Sequence, residues 1–479
     1  MRFSSLLFFL CLTTFLCTCV SAQTQIGNTI HGSVLNRQIG ESVAINADGT
    51  RVIIGSPGGN LPEEGFAQVF ELNGDEWTQL GENLGGNGER GPTVAHDVAI
   101  SADGNRVAYS IVFDNDRPAE VRIMDWDGSQ WVIDEILLGI DQDDDSFGFS
   151  IALSADGNVI VVGSPYRTGA GNVANFGAVE VFRKTGTLWT LSDDFGGGGP
   201  NENLGFAVDI SADGNRIAYT SRDGTFEDSR NSGYTLVYDY DGSSWSQVGT
   251  PFGGNGEFGG QQALGLTIDM TPDGNAIMVG GIETYRVVAF NGTDWEQVGD
   301  NFEREGPGIL IGEAIALADD GERLYYSSPY QTENGGGVYG ERLVDGEWTQ
   351  GAPDLTHPEG DFGFAIALSG NFLAVTQPTG DNDAGQGFGS VRIYNVENLT
   401  ATDNPLPAAA SVWPNPAGGV INVSGVRFTS ARIVDAYGRV VRSVAGTNAT
   451  ISTAGLTAGP YFLRLRTETG WATGRFVKR

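Results

Sequence analysis

The chain has few of the residues on which thiol chemistry, histidine-based catalysis and nucleic-acid binding depend. Only three of its 479 residues are cysteines, and all three lie within the first 22 residues, so the remainder offers neither disulfides nor thiolates. There are three histidines, and 27 basic residues stand against 60 acidic ones. The net charge of −33 excludes a protein whose partner is a nucleic-acid backbone. Beyond the run from Leu6 to Val20, no apolar stretch approaches the roughly 20 residues of a membrane-spanning helix.

Glycine, by contrast, is abundant, with 71 residues, while aromatic residues keep a share of 10%. Disordered and collagen-like chains are poor in aromatic residues, so neither class fits this composition. Many glycines together with many aromatic and β-branched residues are typical of short strands joined by tight turns. We therefore expect an all-β protein.

The first 22 residues predict a signal peptide. Arg2 precedes the apolar run, and Val20 and Ala22 occupy the −3 and −1 positions of a signal-peptidase site, which places cleavage after Ala22. A transmembrane helix and a lipoprotein modified on Cys19 are the two alternatives. The run is short for the first, and the residues before Cys19 make a poor lipobox for the second. We expect export of the mature chain.

A repeated block over residues 23–398 predicts the fold. An apolar segment runs into a turn of the type Ser-Ala-Asp-Gly, and the turn recurs every 47 to 60 residues, with aspartates at Asp48, Asp103, Asp156, Asp213, Asp273 and Asp320 and a degenerate seventh copy at Gly370. A second apolar run follows each turn, as expected for a hairpin. A second hairpin then follows in six copies, each with a tryptophan just beyond it: Trp77, Trp131, Trp189, Trp245, Trp295 and Trp348. Four strands per repeat of about 50 residues are typical of propeller blades.

The ends of the repeat region predict how the ring closes. The seventh copy stops before its fourth strand, whereas residues 24–30 match the segment that follows Trp77. The N-terminal segment can therefore supply the missing outer strand and remove two open edges. We predict a seven-bladed β-propeller with N-terminal strand closure.

The repeats resemble the FG-GAP repeats of integrin α-type propellers. The resemblance rests on Phe-Gly before the first strand and on Gly-Ser-Pro after the second, as at Gly55–Pro57 and Gly163–Pro165. The first strands open with Gly-x-x-[Ile/Val], several of them preceded by Phe or Leu, and the opening glycines are Gly40, Gly148, Gly205, Gly265, Gly312 and Gly363. Many repeats of that family have a calcium loop between these landmarks. Here the two-residue turn has too few oxygens for the six to eight ligands of calcium, so those sites do not carry over.

The last 75 residues differ in charge from the rest. Residues 405–479 carry +7, whereas residues 23–404 carry −41. Residues 399–410, with Pro405 and Pro407, predict a linker. Residues 411–479 resemble the C-terminal sorting domain of type IX secretion, a small β-sandwich, through the motif residues Pro414, Asn415, Pro416, Gly438, Gly459, Tyr461 and Lys478. The resemblance implies the type IX secretion machinery as a partner and an extracellular or outer-membrane-surface location.

Few residues indicate chemistry, and we predict neither a catalytic residue nor a bound cofactor. The histidines, His31, His96 and His357, have no metal-ligand spacing. Two acidic runs could bind calcium, one with Asp141, Asp143 and Asp145 and the other with Asp381 and Asp383, although both lack the distal glutamate of a full calcium loop. Solvated acidic loops are the alternative. The repeated tryptophans predict packing between blades, with a sugar-stacking platform as the alternative.

The loops that join the second strand to the third differ in length from blade to blade, and they share a face away from the uniform turns. Variable loops on a rigid scaffold are typical binding regions. The anchors expected on this face are Glu63, Glu64, Tyr166, Arg167 and Tyr330, with Asp223, Glu227, Asp228, Asp381 and Asp383 adding acidic charge. We predict an extracellular binding or adhesion protein whose ligand is a glycan, a protein or a cation-bridged surface. An extracellular enzyme acting on carbohydrate or peptide and a structural surface-layer component are the alternatives.

Overall fold

The computed structural model describes most of the propeller region and of the tail. The described residues are 24–32, 39–57, 65–85, 93–112, 118–139, 146–227, 229–254, 264–281, 284–300, 314–330, 336–350, 355–357, 360–380, 388–396, 411–424, 427–428, 430–435, 440–445, 450–467 and 470–479. Within them, all regular secondary structure longer than a turn is β-strand.

The first half of the propeller region begins with a single strand, which is followed by three four-stranded antiparallel sheets. The single strand is β1 (Thr24–His31). Blade 1 contains β2 (Ser42–Ile45), β3 (Arg51–Ser56), β4 (Phe66–Asn73) and β5 (Glu76–Gln79). Blade 2 contains β6 (Thr93–Ile100), β7 (Arg106–Val112), β8 (Glu120–Trp126) and β9 (Trp131–Leu138). Blade 3 contains β10 (Ser150–Leu153), β11 (Val159–Ser164), β12 (Ala178–Thr185) and β13 (Leu188–Gly196).

Four more sheets follow in the same order. Blade 4 contains β14 (Leu204–Ile210), β15 (Arg216–Ser221), β16 (Tyr234–Tyr240), β17 (Trp245–Gln247) and the short β18 (Phe252–Gly253). Blade 5 contains β19 (Thr267–Met270), β20 (Ala276–Gly281), β21 (Thr284–Phe290) and β22 (Trp295–Gln297). Blade 6 contains β23 (Ile315–Leu317), β24 (Arg323–Ser328), β25 (Gly336–Val344), β26 (Glu347–Gln350) and β27 (Leu355–His357). Blade 7 contains β28 (Ile366–Ser369), β29 (Phe372–Gln377) and β30 (Ser390–Asn395), with β1 as its outer strand.

The seven innermost strands form a ring. Each of β2, β6, β10, β14, β19 and β23 contacts the innermost strand of the next blade, and β28 contacts β2. The apolar side chains of facing sheets pack into cores between blades, one of which joins Ile45 and Val52 of blade 1 to Val391 and Ile393 of blade 7. The second strands are almost entirely buried, as in β11. The predicted β-propeller fold is confirmed.

The N-terminal strand completes blade 7. β1 pairs antiparallel with β30 in the register Thr24↔Asn395 to His31↔Ser390, with an irregularity between Ile26 and Ile30. Trp77 of blade 1 donates its indole Nε1–H to the carbonyl oxygen of Ile26 at 2.9 Å. The closing strand is therefore held both by its own sheet and by the next blade, as the match between residues 24–30 and the segment after Trp77 predicts.

The tail forms two small sheets around a core of its own. One sheet contains β31 (Ser411–Trp413), β32 (Val420–Ser424) and β35 (Thr450–Ser452); the other contains β33 (Ser430–Asp435), β34 (Val440–Ala445), β36 (Gly459–Thr467) and β37 (Gly470–Lys478). Ile421, Ile433 and Leu463 are completely buried between them. This arrangement is the predicted β-sandwich.

Candidate functional site

A left-handed backbone turn opens the innermost strand of six blades. The turn residue is glycine in five of them, with φ of 99° at Gly40, 85° at Gly148, 83° at Gly205, 115° at Gly265 and 90° at Gly363. A Cβ at Gly148 would lie 2.7 Å from the Cβ of Ser110 in the preceding blade. The glycine is therefore required both by its conformation and by the close approach of the neighbouring sheet. In blade 2 the position is Ala95, with φ of 59°.

In each of these six blades, the residue that follows the turn lies at one end of a cavity along the propeller axis, and this end is the same in all six. These residues, named here the mouth residues, are Glu41, His96, Phe149, Phe206, Leu266 and Phe364; all are half-buried, and all line the cavity. The cavity has a volume of about 700 Å³ and is walled by the innermost strands. Among the described residues that line it, none is a lysine or arginine.

Aromatic rings cluster at the mouth around Phe149. Its ring centroid lies 4.7 Å from that of His96, 4.9 Å from that of Phe206 and 5.6 Å from that of Tyr166. The guanidinium of Arg222 lies 4.5 Å from the Phe206 ring, a cation–π contact. Blades 2, 3 and 4 thus share an aromatic wall on the loop face.

The imidazole of His96 is hydrogen-bonded to this wall. Its Nδ1 lies 3.1 Å from the carbonyl oxygen of Phe149. Burial lowers the pKa of His96 below its usual value, although the Phe149 carbonyl acts in the opposite direction. A carbonyl oxygen can only accept a hydrogen bond, so a neutral His96 must donate from Nδ1. The hydrogen bond therefore selects the Nδ1–H tautomer.

Three aspartates of the innermost strands accept backbone hydrogen bonds across blade boundaries. Asp97 Oδ2 accepts the N–H of Ile151 at 2.8 Å. Asp209 accepts that of Met270 at 2.6 Å, and Asp269 accepts that of Leu317 at 2.5 Å. Each bond joins one innermost strand to the next, so the carboxyl groups connect neighbouring blades around the axis.

These carboxyl groups titrate far from their usual range. Loss of hydration on burial raises the pKa of Asp97 and of Asp209 to about 7, although backbone hydrogen bonds act in the opposite direction. Burial and then the charge of Asp209 raise the pKa of Asp269. At the mouth, burial and then the charge of Asp361 raise the pKa of Glu41 to about 7. Sequence analysis missed these groups. The sequence does contain a signal for two of them: Asp209 and Asp269 lie within apolar strands, at a position where the other repeats have alanine.

On the opposite face of the propeller, which carries the Asp-Gly turns and is named here the turn face, the charged side chains make contacts within and between blades. Arg106 pairs with Asp125 at 2.7 Å, and it donates to the carbonyl of Gly157 in the next blade at 2.8 Å. Arg51 and Arg216 make the equivalent bonds to Gly104 and Gly274. The turn aspartates accept bonds from their own turns, as Asp103 does from Ser101 Oγ at 2.7 Å.

The tryptophans join neighbouring blades, as predicted. Trp131, Trp295 and Trp348 each donate the indole N–H to a backbone carbonyl of the preceding blade, at Leu80, Val248 and Val298. Trp189 and Trp245 donate instead to side chains, Asp134 Oδ2 at 2.8 Å and Ser192 Oγ at 3.1 Å.

The structure places three of the five predicted anchors. Tyr166 belongs to the aromatic wall, and Tyr330 is 49% exposed. Arg167 forms ion pairs with Glu180 at 2.9 Å and Asp194 at 2.8 Å, so its guanidinium joins its loop to the strands of blade 3. Of the acidic residues predicted on the same face, Asp223 forms an ion pair with Arg222 at 2.8 Å, and the backbone of Glu227 is left-handed, with φ of 45°.

The other predicted sites lie outside the described residues, namely Glu63, Glu64, Asp141, Asp143, Asp145, Asp228, Asp381, Asp383, the cleavage position after Ala22 and Gly438 of the tail motif. Calcium binding by the two acidic runs stays a prediction. In the part of the chain that the structure describes, no three histidine, cysteine, aspartate or glutamate side chains are grouped as metal ligands.

The described sorting-motif residues hold the two ends of the tail together. Asn415 Oδ1 accepts the backbone N–H of Val477 at 2.9 Å, next to the cis peptide bonds before Pro414 and Pro416. The Tyr461 ring stacks on Phe476 at 5.6 Å, and its hydroxyl donates to the Thr457 carbonyl at 3.1 Å. Lys478 is the last residue of β37.

The fold and the tail together define an exported β-propeller protein. Residues 411–479 match the secretion system C-terminal sorting domain, and they constitute such a domain. This match implies type IX export to the cell surface or the extracellular space. Among the described residues, none forms a helix long and apolar enough to cross a membrane. No curated protein sequence matches the chain.

Solved structures show distant likenesses. A protein from Lactobacillus plantarum is 13% identical, with a TM-score of 0.48 over 67% of this chain and 86% of that one. A putative 6-phosphogluconolactonase from Bacteroides uniformis is 12% identical, with a TM-score of 0.46 over 66% and 85%. Kuenenia stuttgartiensis hydrazine synthase is 13% identical, with a TM-score of 0.48 over 76% and 97%. At this level of similarity none of them bears on the function of this chain.

Proposed function

We propose that the protein is an extracellular binding protein that takes its ligand at the mouth of the axial cavity on the loop face. Residues 1–22 act as the signal peptide, residues 23–398 form the propeller, and residues 399–410 link it to the sorting domain of residues 411–479. The observation that supports binding at the mouth is the half-buried wall of Phe149, Phe206 and Tyr166 beside a cavity of about 700 Å³. Ligand sites are typically apolar concavities with a few polar groups.

The distribution of contacts supports this face over the other. The arginines and aspartates of the turn face bond to each other and to neighbouring blades, as Arg106 does with Asp125 and Gly157. The mouth combines aromatic rings with Glu41 and His96. Flat rings can stack on a sugar or on an apolar side chain, so a glycan and a protein segment both remain ligand classes, with a cation-bridged surface as the third.

A glycan array tests the proposal directly. The purified chain is applied with calcium and, separately, with a chelator, and hits are measured again with Phe206→Ala. Phe290→Ala is the control, because Phe290 is a half-buried aromatic residue next to the turn of blade 5. We expect the Phe206 variant to lose at least tenfold in affinity while the Phe290 variant binds normally. Equal loss in both variants would contradict binding at the mouth.

An extracellular enzyme is the second candidate, and one observation favours it. Carboxyl groups with a pKa near 7, such as those of Glu41 and Asp97, suit general acid catalysis at neutral pH. However, both oxygens of Asp97 accept backbone N–H groups, from Val98 and Ile151, which supports a structural role. Hydrolysis of an array ligand that Glu41→Gln abolishes without weakening binding would favour the enzyme.

A further inference from the structure

The outer strands of three blades are cut short by a glycine. In blades 1, 4 and 5 the strand has three or four residues and runs into Gln-[Leu/Val]-Gly, ending at Gly81, Gly249 and Gly299. These glycines have φ of 80°, 68° and 72°. A Cβ at Gly249 would lie 2.7 Å from Trp295 Cδ1 of the next blade. The glycine therefore turns the chain and makes room for the neighbouring tryptophan.

Blades 2 and 3 depart from this pattern side by side. Their outer strands, β9 and β13, have eight and nine residues and lack the Gln-x-Gly segment. Both strands continue past an irregularity in their pairing register. Opposite β9 it lies between Ile123 and Met124 of β8, and opposite β13 it lies between Val181 and Phe182 of β12. The tryptophans of the following blades, Trp189 and Trp245, bond to side chains of these two strands instead of to backbone carbonyls.

These two long strands expose apolar side chains in numbers that the other outer strands do not. The exposed fractions in β9 are 37% for Val132, 55% for Ile133, 38% for Ile136 and 55% for Leu138, and those in β13 are 62% for Leu188 and 48% for Leu191. β9 and β13 are the edges of their sheets, with no further strand of the described residues paired outside them. Long apolar edge strands promote association, and proteins usually shorten or charge them.

The charges around this edge indicate which kind of partner it can bind. Glu135 and Asp193 lie on the two strands, while Arg167 and Lys184 are paired with Asp194 and Asp134 of the same strands. The region 23–404 carries −41, so a second copy is repelled. A cationic, apolar segment is attracted. Edge strands take such segments by strand addition, in which main-chain hydrogen bonds give affinity and alternate side chains give specificity.

We propose that β9, which lies in the blade next to that of β13, is a docking edge for an extended segment of a partner protein with alternating basic and apolar residues. The segment adds to β9 as a fifth strand of blade 2, its apolar side chains cover Ile133 and Ile136, and its cations face Glu135. This edge lies on the rim of the propeller and is independent of ligand binding at the mouth.

Fluorescence anisotropy with a defined peptide tests the proposal. The probe is a labelled eight-residue peptide that alternates lysine and valine, compared with a glutamate–valine peptide and with a backbone N-methylated lysine–valine peptide. The protein variants are Ile133→Thr with Ile136→Thr, and Ile133→Lys with Ile136→Lys. Val344→Lys with Val420→Lys is the matched control, because these residues are 44% and 45% exposed elsewhere.

We expect the lysine–valine peptide to bind at least tenfold more tightly than either comparison peptide. Both edge variants should weaken its binding at least tenfold, whereas the control variant and the melting curve of the threonine variant should be unchanged. Equal binding of the lysine and glutamate peptides would overturn the proposal, as would tight binding of the N-methylated peptide. A dimer in light scattering that the edge variants abolish would assign the edge to a second copy instead.

Discussion

The indole Nε1 of Trp189 in blade 3 donates a hydrogen bond of 2.8 Å to Oδ2 of Asp134 in blade 2. The same carboxylate accepts Lys184 Nζ at 2.5 Å and lies 3.4 Å from Arg106. Burial opposes ionisation of Asp134, but the hydrogen bonds from Lys184 and Trp189 lower its pKa below the usual range. Two donors of blade 3 therefore join that blade to one carboxylate of blade 2, and Arg106 of blade 2 adds an ion pair.

Removing this carboxylate should destabilise the propeller. Asp134→Ala leaves Lys184 and Trp189 without their acceptor, and we expect a loss of about 2 kcal/mol in the free energy of unfolding, measured with urea. Asp300→Ala is the control: the Asp300 side chain is 63% exposed in its pair with Arg432, so its loss should cost less than about 0.5 kcal/mol. Equal costs in the two variants would contradict the role given to Asp134.

The conformation of Ala95 yields a second prediction. Ala95 adopts φ of 59°, a region that L-residues other than asparagine and aspartate rarely occupy. Glycine relieves this strain, but it removes a completely buried methyl group and adds flexibility to the unfolded chain, so Ala95→Gly should change the free energy of unfolding by less than about 1 kcal/mol. Gly148→Ala should cost more than about 2 kcal/mol, because its Cβ would lie 2.7 Å from that of Ser110. A loss of stability in Ala95→Gly as large as that in Gly148→Ala would refute this explanation.

The carboxyl groups that line the cavity predict that the free energy of unfolding depends on pH. The pKa of Asp97 is raised from 3.8 to about 7 in the folded chain. Between these values the folded state binds more protons than the unfolded state, so stability should fall as the pH rises toward 7. Glu41 and Asp209, whose pKa values are also raised to about 7, act in the same direction. His96, whose pKa is lowered, opposes them only below its usual 6.5.

The measurement is the melting temperature between pH 4.5 and pH 8 in wild type and in Asp97→Asn. We expect wild type to melt at a higher temperature at pH 5 than at pH 8, and the variant to show a smaller difference. Asp103→Asn is the control, since hydrogen bonds outweigh burial and lower the pKa of Asp103 below 3.8, outside this interval. An unchanged pH dependence in Asp97→Asn would show that Asp97 does not titrate as described.

Ring closure by β1 gives a fourth prediction. Deleting residues 24–30 removes the outer strand of blade 7 and the Ile26 carbonyl that accepts from Trp77. The exposed edge of β30 should cause aggregation or a lower melting temperature. Trp77→Phe keeps the strand and loses the hydrogen bond and part of one buried ring, so its effect should be smaller. Monodisperse protein with a normal melting curve after the deletion would exclude a closing role for β1.

The repeated features were predictable from sequence because each recurs in register. The Asp-Gly turns fix the hairpins, the tryptophans fix the blade boundaries, and the segment before β2 could be matched to the one after Trp77. The tail was recognisable by motif residues such as Asn415, whose amide oxygen closes β37.

The features that break the repeat were harder to predict. Asp209 was hidden in an apolar strand, and only the three-dimensional ring shows that its carboxyl accepts the N–H of Met270, 61 residues away. The sequence predicts Arg167 as an anchor for a ligand, whereas its ion pairs with Glu180 and Asp194 depend on the folding of blade 3. Partners set by strand register and by blade neighbours are not visible in the local sequence.

The sorting domain yields the last prediction. Removing residues 405–479 should abolish delivery to the cell surface in a host with type IX secretion, while the propeller still folds. The described core of the tail contains only residues between Val412 and Phe476, so the truncation leaves the described propeller cores intact. Among the described residues, ion pairs join the two parts through Arg432, which lies 2.6 Å from Asp300 and 3.5 Å from Glu347. Such a pair contributes at most about 1 kcal/mol.

Protease accessibility on intact cells measures delivery, and a urea melt of the truncated chain measures folding. Arg432→Ala in the full chain is the control, because it breaks the contact and leaves the rest of the tail intact; it should be delivered normally. Surface display of the truncated chain would show that export does not depend on the tail. Loss of cooperative unfolding after truncation would show that the tail contributes to the stability of the propeller.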